Sequence, residues 1–174
     1  MKILIAYGST EGQTRKVVNA IAKQIKELGH EAKKFDTSDL LGELHPNSFD
    51  RIIVAGSVHE KMHQESLEFF VVAHREQLKT GPALFISISL AAAFANGMAD
   101  AQGYVDHFSK NTGWHPQKSL MLAGALRHGE YGLFKEHILE HIVLKGRDLE
   151  DPASDHEFTD WERLSLDIDE FIAS

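Results

Sequence analysis

The sequence predicts an α/β domain of three layers: a doubly wound, five-stranded parallel sheet in strand order 2-1-3-4-5, with helices on both faces. Three observations carry this prediction. Short aliphatic runs recur along the chain, amphipathic stretches lie between them, and the runs are apolar at successive positions, as strands covered on both faces must be. Right-handed crossovers then favour the order 2-1-3-4-5.

Residues 2–7 (KILIAY), 51–56 (RIIVAG), 83–88 (ALFISI) and 120–124 (LMLAG) are the four clear strands. Residues 31–36 (EAKKFD) are more charged and suit an edge. Between the first two strands Val17, Ile21, Ile25 and Leu28 recur every three or four residues, opposite Lys16, Asn19, Lys23 and Lys26, which predicts a crossover helix ended by Gly29. Residues 65–78 and 100–112 read as further helices, while Gly42, Pro46 and Asn47 limit any helix in 37–49. After the fifth strand a helical insert is expected at about 127–158, with an apolar face of Phe134, Ile138 and Ile142 running over 133–145. Thr159 and Glu162 have capping-box spacing and are expected to open a last helix carrying Trp161, Leu164, Ile168 and Phe171.

The chain has 174 residues, 43% hydrophobic and 25% charged, which suits a single domain over 1–174 able to bury roughly two thirds of its unfolded surface. It contains no Cys, which excludes disulfides, thiolate metal sites and cysteine nucleophiles. A cytoplasmic location is the simplest expectation. No apolar stretch is long enough to span a bilayer. The net charge is −8, and residues 148–174 hold ten of the 26 acidic residues but one of the 18 basic ones. Nucleic acid is therefore not an expected partner.

The loop after the first strand, Gly8-Ser9-Thr10-Glu11-Gly12-Gln13-Thr14, is the most informative segment. It leads from the carboxyl end of a parallel strand into a helix N-terminus, where unpaired N–H groups and the helix dipole favour an anion. Ser9, Thr10 and Thr14 offer hydroxyls, Gly8 and Gly12 let the backbone wrap closely, and Arg15 is the nearest cation. The donor set suits a terminal phosphomonoester. A dinucleotide fingerprint needs three correctly spaced glycines and a P-loop needs Gly-Lys-Ser/Thr, and neither is present.

The run STEGQT resembles the phosphate loop of the flavodoxin family, whose pattern is T/S-x-T/S-G-x-T and whose ligand is flavin mononucleotide (FMN). Further along, GWHP (113–116), AGALR (123–127) and TDWE (159–162) resemble the flavodoxin-type, quinone-dependent protoporphyrinogen dehydrogenases. Carried over, the resemblance implies that Ser9, Thr10, Glu11, Gly12, Gln13 and Thr14 hold the phosphate. It also implies that Ser57, Val58 and His59 lie along one side of the flavin ring, with Ser89, Leu90 and Ala91 along the other. Phe94 or Tyr131 is the candidate ring-stacking aromatic, and His59 is the candidate proton relay in catalysis.

The function so implied is an FMN-dependent oxidoreductase acting on an organic substrate, protoporphyrinogen IX within this group, with a quinone acceptor. The alternative is an electron carrier between redox proteins. The insert is acidic at its end, which opposes contact with anionic lipid and weakens the expectation of peripheral membrane binding. The pairs His59/His63 and His137/His141 have metal-ligand spacing but no third ligand at motif spacing, so no metal is expected.

Overall fold

The computed structural model describes residues 1–10, 12–39, 44–126 and 156–174. Five strands, β1 (Lys2–Gly8), β2 (Glu31–Asp36), β3 (Arg51–Ser57), β4 (Ala83–Ser89) and β5 (Lys118–Ala123), form one parallel sheet in the order β2-β1-β3-β4-β5. The five helices among the described residues are α1 (Gln13–Glu27), α2 (Glu65–Ala73), α3 (Arg75–Thr80), α4 (Met98–Thr112) and α5 (Trp161–Ala173). The predicted class and strand order are those observed.

Alternation along each strand explains the unbroken apolar runs. Ile3, Ile5 and Tyr7 of β1 face a core formed with Val17, Ile21 and Ile25 of α1 and Leu164, Ile168 and Phe171 of α5. Leu4 and Ala6 face the opposite core, with Leu67 and Val71 of α2, Leu78 of α3, and Val105 and Phe108 of α4. Each large apolar side chain buried this way contributes about 1.5–3 kcal/mol. Trp114 is buried in the second core, and its indole N–H donates to Leu78 O at 3.2 Å.

Register brings the strand ends together. Gly8 of β1 pairs with Gly56 of β3, Gly56 with Ser87 of β4, and Ser89 of β4 with Ala123 of β5. The loops that leave these ends therefore share one edge of the sheet.

Two local readings are corrected, the single helix over 65–78 and the cap of the last helix. The helix expected over 65–78 turns at His74 (φ −114°, ψ 19°) into α2 and α3, although Leu78 N–H still donates to His74 O at 3.1 Å. Within 44–49 the chain makes one 3-10 turn, Pro46–Ser48, in keeping with the limit that Pro46 and Asn47 set on any helix there. The cap of α5 is Asp160, whose carboxylate accepts from Arg163 N–H at 2.9 Å; Thr159 is spent elsewhere, donating to Ala123 O at 2.7 Å. Where the expected insert ends, β7 (His156–Glu157) is extended and pairs antiparallel with β6 (Ala125–Leu126). The helix expected at 133–145, with Tyr131, His137 and His141, lies outside the described residues.

Candidate functional site

The turn from β1 into α1 is set by Gly12, which caps the helix with φ 92°, a left-handed conformation that side chains other than glycine rarely adopt. Its N–H donates to Ser9 Oγ at 3.2 Å, which fixes the loop's curvature. No side chain among the described residues caps α1, so the N–H groups of its first turn face the loop with the partial positive charge of the helix end. Thr14 is fully buried in that first turn, and its hydroxyl has no hydrogen-bond partner among the described residues. A buried hydroxyl without a partner costs about 1–3 kcal/mol.

The cations beside the loop are already engaged. Arg15 pairs with Asp36 at 3.5 Å, and the Lys16 ammonium donates to Glu157 and lies 5.3 Å from the Trp161 ring. The hydrogen bond from Lys16 holds Glu157 below the usual carboxylate range against its partial burial, with Gln13 adding to the effect. Burial works to raise Asp36, but Ser38, through its hydroxyl and N–H, and then Arg15 hold it low. Among the described residues, the polar side chains of the loop itself are therefore uncharged ones, Ser9, Thr10, Gln13 and Thr14.

The segment after the insert returns to this loop. Gln13 Nε2 donates to Glu157 Oε1 and Thr159 Oγ1, each at 3.0 Å, while Phe158 N–H donates to Gly124 O at 3.0 Å. Phe158 also meets Phe94 edge to face, with ring centroids 5.7 Å apart. Phe94, the candidate stacking residue, is thus half-buried against an aromatic that the sequence reading had not singled out.

Beyond β3, Val58 N–H donates to Ile88 O at 2.8 Å, extending the ladder to β4 by one residue. His59 and Met62 then exchange backbone hydrogen bonds of 2.8 and 3.0 Å around a turn in which Glu60 (φ 49°) and Lys61 (φ 67°) are both left-handed. That geometry strains two residues with side chains, a cost of about 1–3 kcal/mol each. His63 leaves the loop altogether. It is buried between Phe85 and Phe108, at centroid distances of 5.2 and 5.0 Å, and hydrogen-bonds Ser87 Oγ through Nε2 at 3.0 Å. Burial, with the neighbouring charge of His107, pushes its imidazole down to about 4. His59 and His63 therefore do not converge. Among the described residues no cluster of three or more His, Asp or Glu can hold a metal ion.

Beyond β4, Ser89 is buried and its hydroxyl accepts from Ala92 N–H at 3.3 Å, shaping a turn through Leu90 and Ala91. Ser9, Thr10, Gly12, Gln13 and Thr14 thus stand beside Ser57, Val58 and His59, and these beside Ser89, Leu90, Ala91 and Phe94, on three neighbouring strand ends. Glu11 lies outside the described residues. Gln64, which the sequence reading passed over, joins two of the groups: Nε2 donates to Thr10 Oγ1 at 3.0 Å and to Ser57 Oγ at 2.7 Å. No local sequence signal marks it, because its partners are 54 and seven residues away. A crevice rimmed by three strand-end loops is where open parallel sheets bind ligands.

Among the described residues no helix is long and apolar enough to cross a membrane. The flavodoxin domain model matches residues 4–152. The protoporphyrinogen IX dehydrogenase (quinone) of Escherichia coli (strain K12) is 27% identical over 168 residues, covering 95% of this chain and 91% of that protein. The enzyme of the same name from Leishmania major is 24% identical, covering 99% of this chain and 75% of that protein. Among solved structures, oxidised flavodoxin 1 from Bacillus cereus superposes with a TM-score of 0.57 at 15% identity, covering 99% of this chain and 98% of that one. With the family model spanning most of the sequence and the sheet wound in the predicted order, this chain belongs to the flavodoxin domain family.

Proposed function

We propose that this protein binds FMN at the carboxyl end of its sheet and catalyses the dehydrogenation of protoporphyrinogen IX, with a quinone as electron acceptor. The observation that carries the cofactor assignment is the buried hydroxyl of Thr14 in the first turn of α1, without a hydrogen-bond partner among the described residues. Family membership and the names of the two relatives support the flavin and the reaction.

In this reading the Ser9, Thr10 and Thr14 hydroxyls and the backbone N–H groups of Glu11, Gly12 and Gln13 hold the phosphate end, Gly12 exchanging its bond to Ser9 Oγ for the ligand. Uncharged donors suffice, since each hydrogen bond to an ionised oxygen is about twice as strong as a neutral one. Ser57, Val58 and His59 flank the ring on one side, and Ser89, Leu90 and Ala91 on the other, with Phe94 the stacking aromatic. FMN, when bound, supplies the redox chemistry, and the protein supplies placement and field. Each turnover removes two electrons and two protons from the porphyrinogen and converts the quinone to its quinol. His59, at the mouth of its strained turn, is assigned to moving one of those protons.

The test has two stages. Titration of the apoprotein with FMN, read by quenching of flavin fluorescence, is expected to saturate at one equivalent. Anaerobic incubation of the loaded protein with protoporphyrinogen IX is then expected to bleach the flavin, and added quinone to restore it. Flavin binding without either response, together with rapid exchange of electrons with a redox protein, would assign the chain to the carrier class instead.

A further inference from the structure

We propose that Gln64 is a positioning residue that fixes the hydrogen-bond polarity of the phosphate loop, so that the protein selects a phosphorylated flavin over an unphosphorylated one. The proposal rests on the phosphate reading above and goes beyond it by assigning a residue outside the loop.

Gln64 sits just before α2, and its side chain crosses the carboxyl ends of β1 and β3. Its two amide protons are both committed, one to Thr10 Oγ1 at 3.0 Å and one to Ser57 Oγ at 2.7 Å. Its carbonyl oxygen is buried and has no hydrogen-bond partner among the described residues. That oxygen lies over the paired glycines of the two strands: a β-carbon at Gly8 would stand 2.8 Å from it, and one at Gly56 3.3 Å. Gly8 makes room for the Gln64 side chain, while Gly56 gives way first to Leu67 Cδ2, which a β-carbon there would meet at 2.5 Å.

The orientation follows from counting orphans. As placed, the amide strands one acceptor against the glycines. Turned over, it would strand two N–H donors there, the costlier arrangement. A hydroxyl has one proton and two lone pairs. Thr10 Oγ1 accepts from Gln64, so its own proton is left to donate elsewhere. An anion in the adjacent loop is the acceptor that this donor suits. Gln64 therefore turns a hydroxyl that could point either way into a fixed donor before the ligand arrives, and pre-set donors lose least on binding. A glutamate of the same shape would do the reverse, taking the Thr10 proton for itself.

The experiment compares FMN with riboflavin, which lacks the phosphate, by fluorescence titration of the unmodified protein and of Gln64→Glu, Gln64→Met, Thr10→Val and the Thr10→Val/Gln64→Glu double variant. The readout is the ratio of riboflavin Kd to FMN Kd. Gln64→Glu is expected to lower that ratio about tenfold or more, the scale of one hydrogen bond to a charged group. In the double variant the ratio is expected to fall no further than in Thr10→Val alone, because the effect passes through Thr10. Gln64→Met, which frees the hydroxyl without adding charge, is expected to lower the ratio about threefold and serves if the glutamate variant does not fold. An unchanged ratio in the Gln64 variants overturns the proposal, and so do losses that simply add in the double variant, the mark of direct repulsion. Equal affinity for FMN and riboflavin in the unmodified protein defeats the phosphate reading itself, before any variant is made.

Discussion

Gln13, at the start of α1, donates its side-chain amide to the hydroxyl of Thr159, a residue 146 positions away that lies just before α5. Thr159 passes the connection on by donating to Ala123 O at 2.7 Å, so the proposed phosphate loop, the end of β5 and the returning segment form one hydrogen-bonded unit. Thr159→Val keeps the shape and removes both bonds. It is expected to cost about 1–3 kcal/mol in urea denaturation and to weaken FMN binding, because Gln13 loses half of its anchorage. FMN affinity equal to that of the parent would show that this latch plays no part in shaping the loop.

Thr14 sets up a trade between stability and binding. Its buried hydroxyl has no partner among the described residues, so Thr14→Val removes a polar atom that folding must desolvate without return. The apoprotein is expected to gain about 1 kcal/mol, while FMN affinity falls by about tenfold or more as a donor to the phosphate is lost. Thermal melts with and without FMN measure both effects on one sample. A variant that is less stable without ligand, or that binds FMN as well as the parent, would contradict the assignment.

Asp160 caps α5 through its bond to Arg163 N–H at 2.9 Å. Asp160→Ala is expected to cost about 1 kcal/mol, the usual loss when a side-chain cap is removed. The same measurement on Glu162→Ala, which would matter if the cap were a Thr159/Glu162 box, is expected to show less than half of that loss.

His59 is the proton-handling candidate, and its replacement is a kinetic experiment. His59→Gln is expected to lower kcat for porphyrinogen oxidation by about a hundredfold, the low end for a general acid or base, with FMN affinity close to that of the parent. A loss of FMN affinity as large as the loss in kcat would leave His59 a wall of the flavin site alone, with no part in moving the proton.

Much of this was legible along the chain, for identifiable reasons. Strands buried on both faces leave unbroken apolar runs, so β1, β3 and β4 could be located within a residue or two from KILIAY, RIIVAG and ALFISI. The loop residues Ser9 to Thr14 were legible because a strand-to-helix turn rich in Gly and hydroxyls is a local pattern. Relationships between distant segments were not. Neither the burial of the Thr14 hydroxyl without a partner among the described residues nor the reach of Gln64, just before α2, to Thr10 and Ser57 can be inferred before the sheet register is known. His59 and His63 share metal-ligand spacing in sequence, but the packing of His63 between Phe85 and Phe108 takes it out of the loop that holds His59. TDWE was noticed as a motif, but its letters serve different ends: Thr159 as latch, Asp160 as cap and Trp161 as the surface beneath Lys16.

That buried His63 gives stability a pH dependence whose sign can be worked out. Its imidazole titrates at about 4 in the folded chain, lowered by burial and then by His107, against the ordinary 6.5 when unfolded. Between those values the unfolded chain binds the extra proton, so stability rises with pH: the contribution is fully present above about 6.5 and is lost progressively as pH falls towards 4. Its size is up to about 3 kcal/mol. His74 is shifted in the same direction by burial and adds to the slope. Urea denaturation of the apoprotein at several pH values is expected to show a midpoint that drops through this window. His63→Gln, whose longer side chain carries an amide to the position of Nε2 and so can still hydrogen-bond Ser87 but does not titrate, is expected to be less stable at pH 7 because it no longer fills the space between Phe85 and Phe108 as a ring does. Its stability should nevertheless depend on pH much less steeply between 6.5 and 4. A slope as steep as the parent's would place the titrating group elsewhere.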